Sequence, residues 1–360
     1  MAELHSLLNS ILRKDRRPES ALKRREPLTD TALLLTITIS IFILMYGLSM
    51  AFFGGSFLTP NQFFDLFNNN GALLIISCGL SVVMVAGGID ISVGGATAFV
   101  CMSCLVSLDK GGFGIVGSLL LALAIGLAFG AIQGFLISYL EVQPFIITLA
   151  GMFLARGMTT MLQRDPLTLQ HESFNAFRKI DIPMFALGKI AKNGKFIPAT
   201  LELGVIIALI VVIAIFVMLK WTRFGRNLYA VGGNSQSALM LGINVKRTKF
   251  FSYVVCGVLS GIAGFVYLMH VGSGDVAHFT TAEMSAIAAS IIGGTLLTGG
   301  VGNVIGTVFG VLSLETIKLI VVALKLKGPW WQGITVGFML CFFIVLQSII
   351  LAYRNRKRVT

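Results

Sequence analysis

Acidic side chains are few and unevenly spread: 16 Asp and Glu stand against 28 Lys and Arg in 360 residues, and none falls between Lys220 and Lys249. Charge of either sign makes up 12% of the chain while 56% is hydrophobic, at a mean hydropathy of +0.87. This poverty of charge excludes a soluble domain, because one core cannot hide so much apolar surface. It also argues against nucleic acid as a partner. The net charge of +12 sits in segments that flank apolar runs, not along one face of a domain. The lipid bilayer is the partner such a chain requires.

Signatures of catalysis are missing as well. Residues 188–195, GKIAKNGK, resemble a phosphate loop, but the glycine spacing is one residue too long and Phe196 stands where Ser or Thr would bind magnesium. His171 and Glu172 open a zinc-binding string that fails at Asn175. GVLSG at 257–261 lacks the spacing of a serine hydrolase. His270, Asp275 and His278 read as a solvated turn rather than a metal cage. No catalytic residue, metal or cofactor is therefore expected, and the chain is not read as an enzyme. The cysteines are five, an odd number, and lie in apolar segments, against a disulfide framework. Cys101 and Cys104 read as small packing residues despite their C-x-x-C spacing. No cleavable leader is evident, since the first apolar run is too long for a signal-peptide core.

What is present is a series of apolar runs. Stretches long enough to cross about 30 Å of hydrocarbon occur at 31–53, 115–139, 201–219, 250–269, 303–324 and 331–352. Shorter or glycine-interrupted stretches occur at 70–86, 93–108, 144–162 and 283–298. The expected fold is an all-α polytopic membrane protein of about ten spans in two pseudo-repeated halves, with interrupted helices. The chain divides into a basic tail at 1–30, a membrane domain at 31–352 and a second basic tail at 353–360. Leu4, Leu7, Leu8, Ile11 and Leu12 give the first tail the spacing of an interfacial helix, and a disordered tail fits equally well.

Orientation follows from charge. Lys220, Arg223, Arg226, Lys246, Arg247 and Lys249 are the only charged residues of the 220–249 loop, so the positive-inside tendency places it in the cytoplasm. An even span count then puts both termini inside and the 163–200 loop outside. That loop carries Arg164, Arg178, Lys179, Lys189, Lys192 and Lys195, partly offset by Asp165, Glu172 and Asp181, and long loops follow the charge rule poorly.

A weak internal repeat pairs GGIDISVGG at 87–95 with GGTLLTGGVG at 293–302, each followed by a glycine-spaced helix and a span led by Pro144 or Pro329. Interrupted segments at matching places in two halves suit a transport pathway near the midplane. The polar candidates for that pathway are Asn69, Asn70, Asp90, Ser92, Thr148 and Glu283. Asp90 is the acid set most deeply in apolar sequence. A carboxylate there costs at least about 2.5 kcal/mol unless it is partnered, so Asp90 and Ser92 either cap the helix starting near Val93 or meet the substrate. The asparagines at 68–70 either solvate a turn or bond a ligand's hydroxyls. Gln133 is a further polar candidate. Glu315 and Lys318 share a helical face and read as an ion pair. Gly126, Gly130, Gly134, Gly257, Ser260, Gly261 and Gly264 read as sites of close helix approach.

Four blocks are similar to the permease subunits of bacterial monosaccharide ABC importers of the ribose and galactose type, nearest to galactofuranose permeases. They are TRFGRNLYAVGGNSQSALMLGINV at 222–245, GGIDISVGG at 87–95, VQPFIITLAGMFLARG at 142–157 and AIAASIIGGTLLTGGVGNVIGTVFGV at 286–311. The resemblance covers about residues 60–350. It implies a bacterial inner-membrane subunit that pairs with a second copy or a sister permease, with two ATP-binding-cassette ATPase subunits on the cytoplasmic side and an extracytoplasmic sugar-binding protein on the other. It also implies that the 220–249 loop couples to the ATPase through a short helix at 235–241. Gly232, Gly233 and Asn234 would introduce that helix, with Asn234 or Ser235 as its cap. Ala238, Leu239 and Leu241 would form its apolar face, and Gly242 would end it. The alternative is an ion-coupled secondary transporter in which Asp90 or Glu283 binds the coupling ion.

Overall fold

A computed structural model describes residues 30–54, 59–190, 196–325 and 330–359. The chain is an all-α polytopic membrane protein. The interfacial helix expected near the start of the chain and the span-leading Pro329 lie outside the described residues. The helices in chain order are α1 (Asp30–Phe53), α2 (Pro60–Asn68), α3 (Gly71–Val85), α4 (Val93–Asp109), α5 (Ile115–Ser138), α6 (Pro144–Leu162), α7 (Glu172–Arg178), α8 (Leu203–Trp221), α9 (Arg223–Gly233), α10 (Ser235–Met240), α11 (Val245–Val271), α12 (Ala282–Ile292), α13 (Val304–Ala323) and α14 (Trp330–Val359).

Seven described helices are long and apolar enough to cross a membrane, and α2 with α3, bent by 54° at their junction, brings the count to eight when the pair is taken as one broken span. The short apolar helices α4 and α12 account for the rest of the expected count. At 1.5 Å per residue they reach only about 26 Å and 17 Å, so each begins inside the bundle. The span read at 283–298 thus stops at Ile292 and gives way to a glycine-rich turn.

One addition was not legible in the sequence. Inside the 163–200 loop, β2 (Asp181–Ile190) and β3 (Phe196–Glu202) form an antiparallel hairpin, and β1 (Leu167–Thr168) pairs with β4 (Ser273–Gly274). Asn68, at the end of α2, carries the hairpin: its amide donates to the Thr200 carbonyl at 2.9 Å and accepts from the Glu202 amide at 3.1 Å. The hairpin marks one end of the bundle, and α9 with α10 marks the other. Leu34 near the start of α1 packs on Gly294, and Gln347 in α14 bonds the Ile291 carbonyl, so the start of α1 and this part of α14 both meet the end of α12 and the turn that follows it.

Every residue of α3 is buried. It is enclosed by α8, α11, α12 and α13, which explains why its sequence is apolar all round rather than on one face. In lipid the hydrophobic effect does not drive helices together, so small residues and interhelical hydrogen bonds must. Both are visible. Ser81 on α3 bonds Thr307 on α13 at 2.7 Å and Ser290 on α12 at 3.1 Å. Gly126, Gly130 and Gly134 on α5 face Gly257, Gly261 and Tyr253 on α11 across backbone contacts, as the spacing of small residues suggested.

A side chain at Gly130 would bring its Cβ to 2.5 Å from the Tyr253 carbonyl oxygen and 3.1 Å from Gly257 Cα, whereas Gly157 has open space around it. Gly130→Val is expected to cost about 1–3 kcal/mol or more through overpacking and to lower the unfolding midpoint of the purified protein. Gly157→Ala is expected to leave it unchanged or raise it. Equal midpoints for both variants would remove the close α5–α11 contact from the account.

Candidate functional site

The interruption between α3 and α4 is built around Asp90, which is 2% exposed. Its Oδ1 accepts from the Ser92 amide at 2.9 Å and from the Ser92 hydroxyl at 2.6 Å. Ser92 Oγ in turn accepts from Gln133 Nε2 on α5 at 2.9 Å. The Tyr253 hydroxyl donates to the Ile89 carbonyl at 3.2 Å. Ser92 occupies the N-cap of α4, but its side chain makes no capping bond. The expected cap is thus replaced by a carboxylate that gathers the turn before the helix.

The second interruption opens at α12. Glu283, in its first turn, is 7% exposed, and its Oε2 has no hydrogen-bond partner. The carboxylate lies against Gly94, where any side chain on α4 would collide with it. Two helix N-termini, those of α4 and α12, point their positive ends into this region. Arg156 on α6 adds an electrostatic attraction to Glu283 and donates to the carbonyls of Val276 at 3.1 Å, His278 at 2.6 Å and Phe279 at 2.8 Å. It thereby pins the segment leading into α12, where Phe279 and Thr281 hold positive φ of 58° and 66°. Two non-glycine residues in that region mark strain maintained by their surroundings.

The remaining pathway candidates separate. Asn69 is exposed at the edge of a cavity of about 580 Å³ at the hairpin side. Asn70 is buried and donates to the Leu66 carbonyl in the last turn of α2 at 2.9 Å. Thr148 is buried with its hydroxyl on the Pro144 carbonyl at 2.9 Å. Neither Asn70 nor Thr148 joins the Asp90 network. Gln133, Arg156 and Tyr253 do the work of holding the interruptions. Gln133 stood out in the sequence as an amide within a span, and Arg156 carried the same kind of signal as a charge inside an apolar run.

At the opposite end the loop is more structured than expected. Thr222 caps α9 by accepting from the Gly225 amide at 3.0 Å, and Asn234 caps α10 by accepting from the Ser237 amide at 2.9 Å. Gly242 follows α10 at φ 79°, a left-handed closure that suits glycine. Helix α10 ends at Met240, one residue before the expected bound. Ala238 is buried at 1% exposure and faces inward, while Leu239, Met240 and Leu241 are exposed at 64%, 87% and 79%. The outward apolar face is therefore 239–241, and Ala238 is its anchor.

Glycines join this loop to both interruptions. The Gly300 amide donates to the Val85 carbonyl at 2.9 Å. Gly232 lies against both groups, so that any Cβ there would strike the Val85 oxygen, and Gly233 touches Gly300. Tyr229 on α9 donates to the Gly302 carbonyl at 2.9 Å. Gly87, Gly299 and Gly300 hold φ of 80°, 87° and 73°, which L side chains rarely adopt. The two pseudo-repeat turns thus meet each other and the end of α9. Beside them a cleft of about 1040 Å³ runs from Gly88 and Tyr253 to Ser235, Leu239 and Lys249.

Other motifs fall into place as packing. Lys318 pairs with Glu315 at 3.3 Å, and Cys101 and Cys104 are buried thiols that point at the Ser273 and Ser118 carbonyls. The two histidines have separate partners instead of a common solvated turn: His270 meets Glu202 at 2.7 Å, and His278 stacks edge-on against Tyr267 at 5.2 Å.

The profile described as branched-chain amino acid transport system, permease component, matches residues 62–344. A fructose import permease protein of Bifidobacterium longum is 35% identical over 88% of this chain and 91% of its own length. An inner membrane ABC transporter permease protein of Escherichia coli is 34% identical over 90% and 94%, and its ribose import permease protein is 33% identical over 72% and 77%. No solved structure matches the chain significantly.

Burial lowers the pKa of His278 from 6.5, although Asp275 pulls it back. The neutral ring's contribution to stability is therefore present above the ordinary value and is lost as pH falls through it toward the folded value. Amides of 275–281 are expected to lose protection from hydrogen exchange, at matched intrinsic rates, on acidification from about pH 7 to below about 6. His278→Phe should abolish that dependence. Unaltered protection in the native chain would separate His278 from the order of this segment.

Proposed function

The chain belongs to the ABC importer family described as branched-chain amino acid transport system, permease component, and on that premise we propose that it forms the translocation pathway for a monosaccharide. The sugar arrives from an extracytoplasmic binding protein, and ATP is hydrolysed on two separate ATP-binding-cassette subunits. The curated relatives named for fructose and ribose import support the cargo class. Family membership favours this reading over an ion-coupled secondary transporter.

The observation that carries the proposal is the glycine junction. Leu239, Met240 and Leu241 offer an exposed apolar face for a groove on the ATPase, and the adjoining α9 ends on the two turns that interrupt the pathway. A push on α10 therefore reaches Val85, Gly87 and Gly300 without an intervening flexible side chain. Gly232, Gly233, Asn234, Ser235 and Gly242 shape and terminate this element, and Ala238 seats it. Asp90 and Ser92, with Glu283 across from Gly94, sit where the interrupted helices start and would move with the turns. Asn69 lies nearer the outer opening. Asn70 and Thr148 fix helix ends through the Leu66 and Pro144 carbonyls.

In this reading the α9–α10 end and both termini face the cytoplasm of a bacterial cell, across the inner membrane from the β2–β3 hairpin. Lys220 over the rings of Phe216 and Trp221, at 5.3 and 5.4 Å, and Arg247 over Phe251 at 5.7 Å set the depth of the loop at the interface. A second copy of the chain or a sister permease completes the pathway.

In the complex assembled with ATPase and binding protein, Leu239→Asp is expected to abolish sugar-stimulated ATP hydrolysis while membrane insertion persists. Normal stimulation would move the docking surface elsewhere. Asp90→Asn is expected to slow sugar uptake about tenfold or more with assembly retained, and a loss of folding with no separate loss of transport would reduce Asp90 to a structural role.

A further inference from the structure

The cavity of about 580 Å³ on the hairpin side lies between the start of α3, the strained segment before α12, and the helices α13 and α14. Its size falls within the range of small-molecule sites, roughly 300–1,000 Å³. Two aromatic rings form part of its wall: Tyr267 and Phe279 meet edge to face at 4.4 Å between centroids. The same lining holds Asn69, Ser285 and Gln332, whose side chains make no hydrogen bond to another described residue. A lining that combines aromatic rings with uncommitted amides and a hydroxyl suits a molecule with C–H surface and several hydroxyls.

Charge sharpens the class. Among the described residues Lys318 is the only formal charge in the lining, and its ammonium lies 3.3 Å from the Glu315 carboxylate. The described lining therefore offers no free ion for a carboxylate or a phosphate and no carboxylate for an ammonium group. An amino acid bound there would leave both of its charges without a dedicated counter-ion, at considerable desolvation cost. A neutral polyol leaves nothing unpaired.

We propose that this cavity is a binding site for an uncharged monosaccharide, held with its C–H face on Tyr267 and Phe279 and its hydroxyls toward Asn69, Ser285 and Gln332, and that it excludes amino acids and sugar phosphates. The proposal rests on the sugar-import reading and adds a location and a charge rule to it. The strained Phe279–Thr281 backbone, fixed by Arg156, keeps the Phe279 ring in the wall.

The test uses the full chain in lipid nanodiscs with Cys341, the exposed native thiol, changed to Ser and one reporter introduced as Gly337→Cys, at an open position in the lining. The rate of modification by a polar maleimide is measured with galactose, ribose, leucine or glucose 6-phosphate present. Galactose or ribose is expected to slow labelling about fivefold at concentrations several times its dissociation constant, with leucine and the sugar phosphate without effect. Gly333→Cys, at an open position in the same lining, should repeat the pattern, and Asp165→Cys outside the cavity should show no protection. Protection by leucine, or none by either sugar at both reporters while the assembled complex still imports a monosaccharide, overturns this site and leaves the import reading standing. Failure of the assembled complex to import any monosaccharide overturns the import reading itself, and this site with it.

Discussion

A single backbone hydrogen bond, from the Gly300 amide to the Val85 carbonyl at 2.9 Å, ties together the two places where the helical ladder is broken. Inside a bilayer an open backbone group finds no water, so an interrupted helix survives only where protein covers it. Here each interruption covers the other. Gly232 closes the remaining gap because nothing larger than hydrogen fits between the Val85 carbonyl and Gly300. The same constraint that makes the interruptions tolerable thus makes the loop at 220–249 part of their wall.

From that junction the rest of the bundle follows. α3 is buried on every side because it delivers Val85 and Gly87 to the centre, and its polar contacts are hydroxyls that bridge to α12 and α13. The close α5–α11 contact sets Gln133 beside Ser92 and so fixes the turn at Asp90. On the opposite side Arg156 holds the strained approach to α12, bringing Glu283 to Gly94. The cleft of about 1040 Å³ and the cavity of about 580 Å³ lie toward opposite ends of the bundle. That is the arrangement a pathway opening alternately to two sides requires.

The membrane class, the long spans and the position of the basic loop were legible because they depend on runs of one residue type, which sequence displays directly. The repeat of GGIDISVGG and GGTLLTGGVG was legible as composition, but its meaning was not. That the two turns touch depends on how α3, α9 and α13 pack, and glycine signals room without naming its neighbour. The caps at Asn234 and Gly242 are local and legible in the sequence, whereas the inward turn of Ala238 depends on where the whole helix rests. Asn69 and Asn70 are adjacent and identical in type, yet one lines a cavity and the other bonds the last turn of α2. The β2–β3 hairpin is not legible because its strands carry Pro183 and Pro198 and lack strict alternation.

The central claim is that α10 and both glycine turns move as one body. The most direct measurement places spin labels at the exposed Gln236, Leu297 and Glu141 and compares distances in the assembled complex without nucleotide and with ATP trapped. The account predicts an unchanged Gln236–Leu297 separation while both labels shift relative to Glu141 across the cleft. A changed Gln236–Leu297 separation, with Leu297–Glu141 constant, would contradict it.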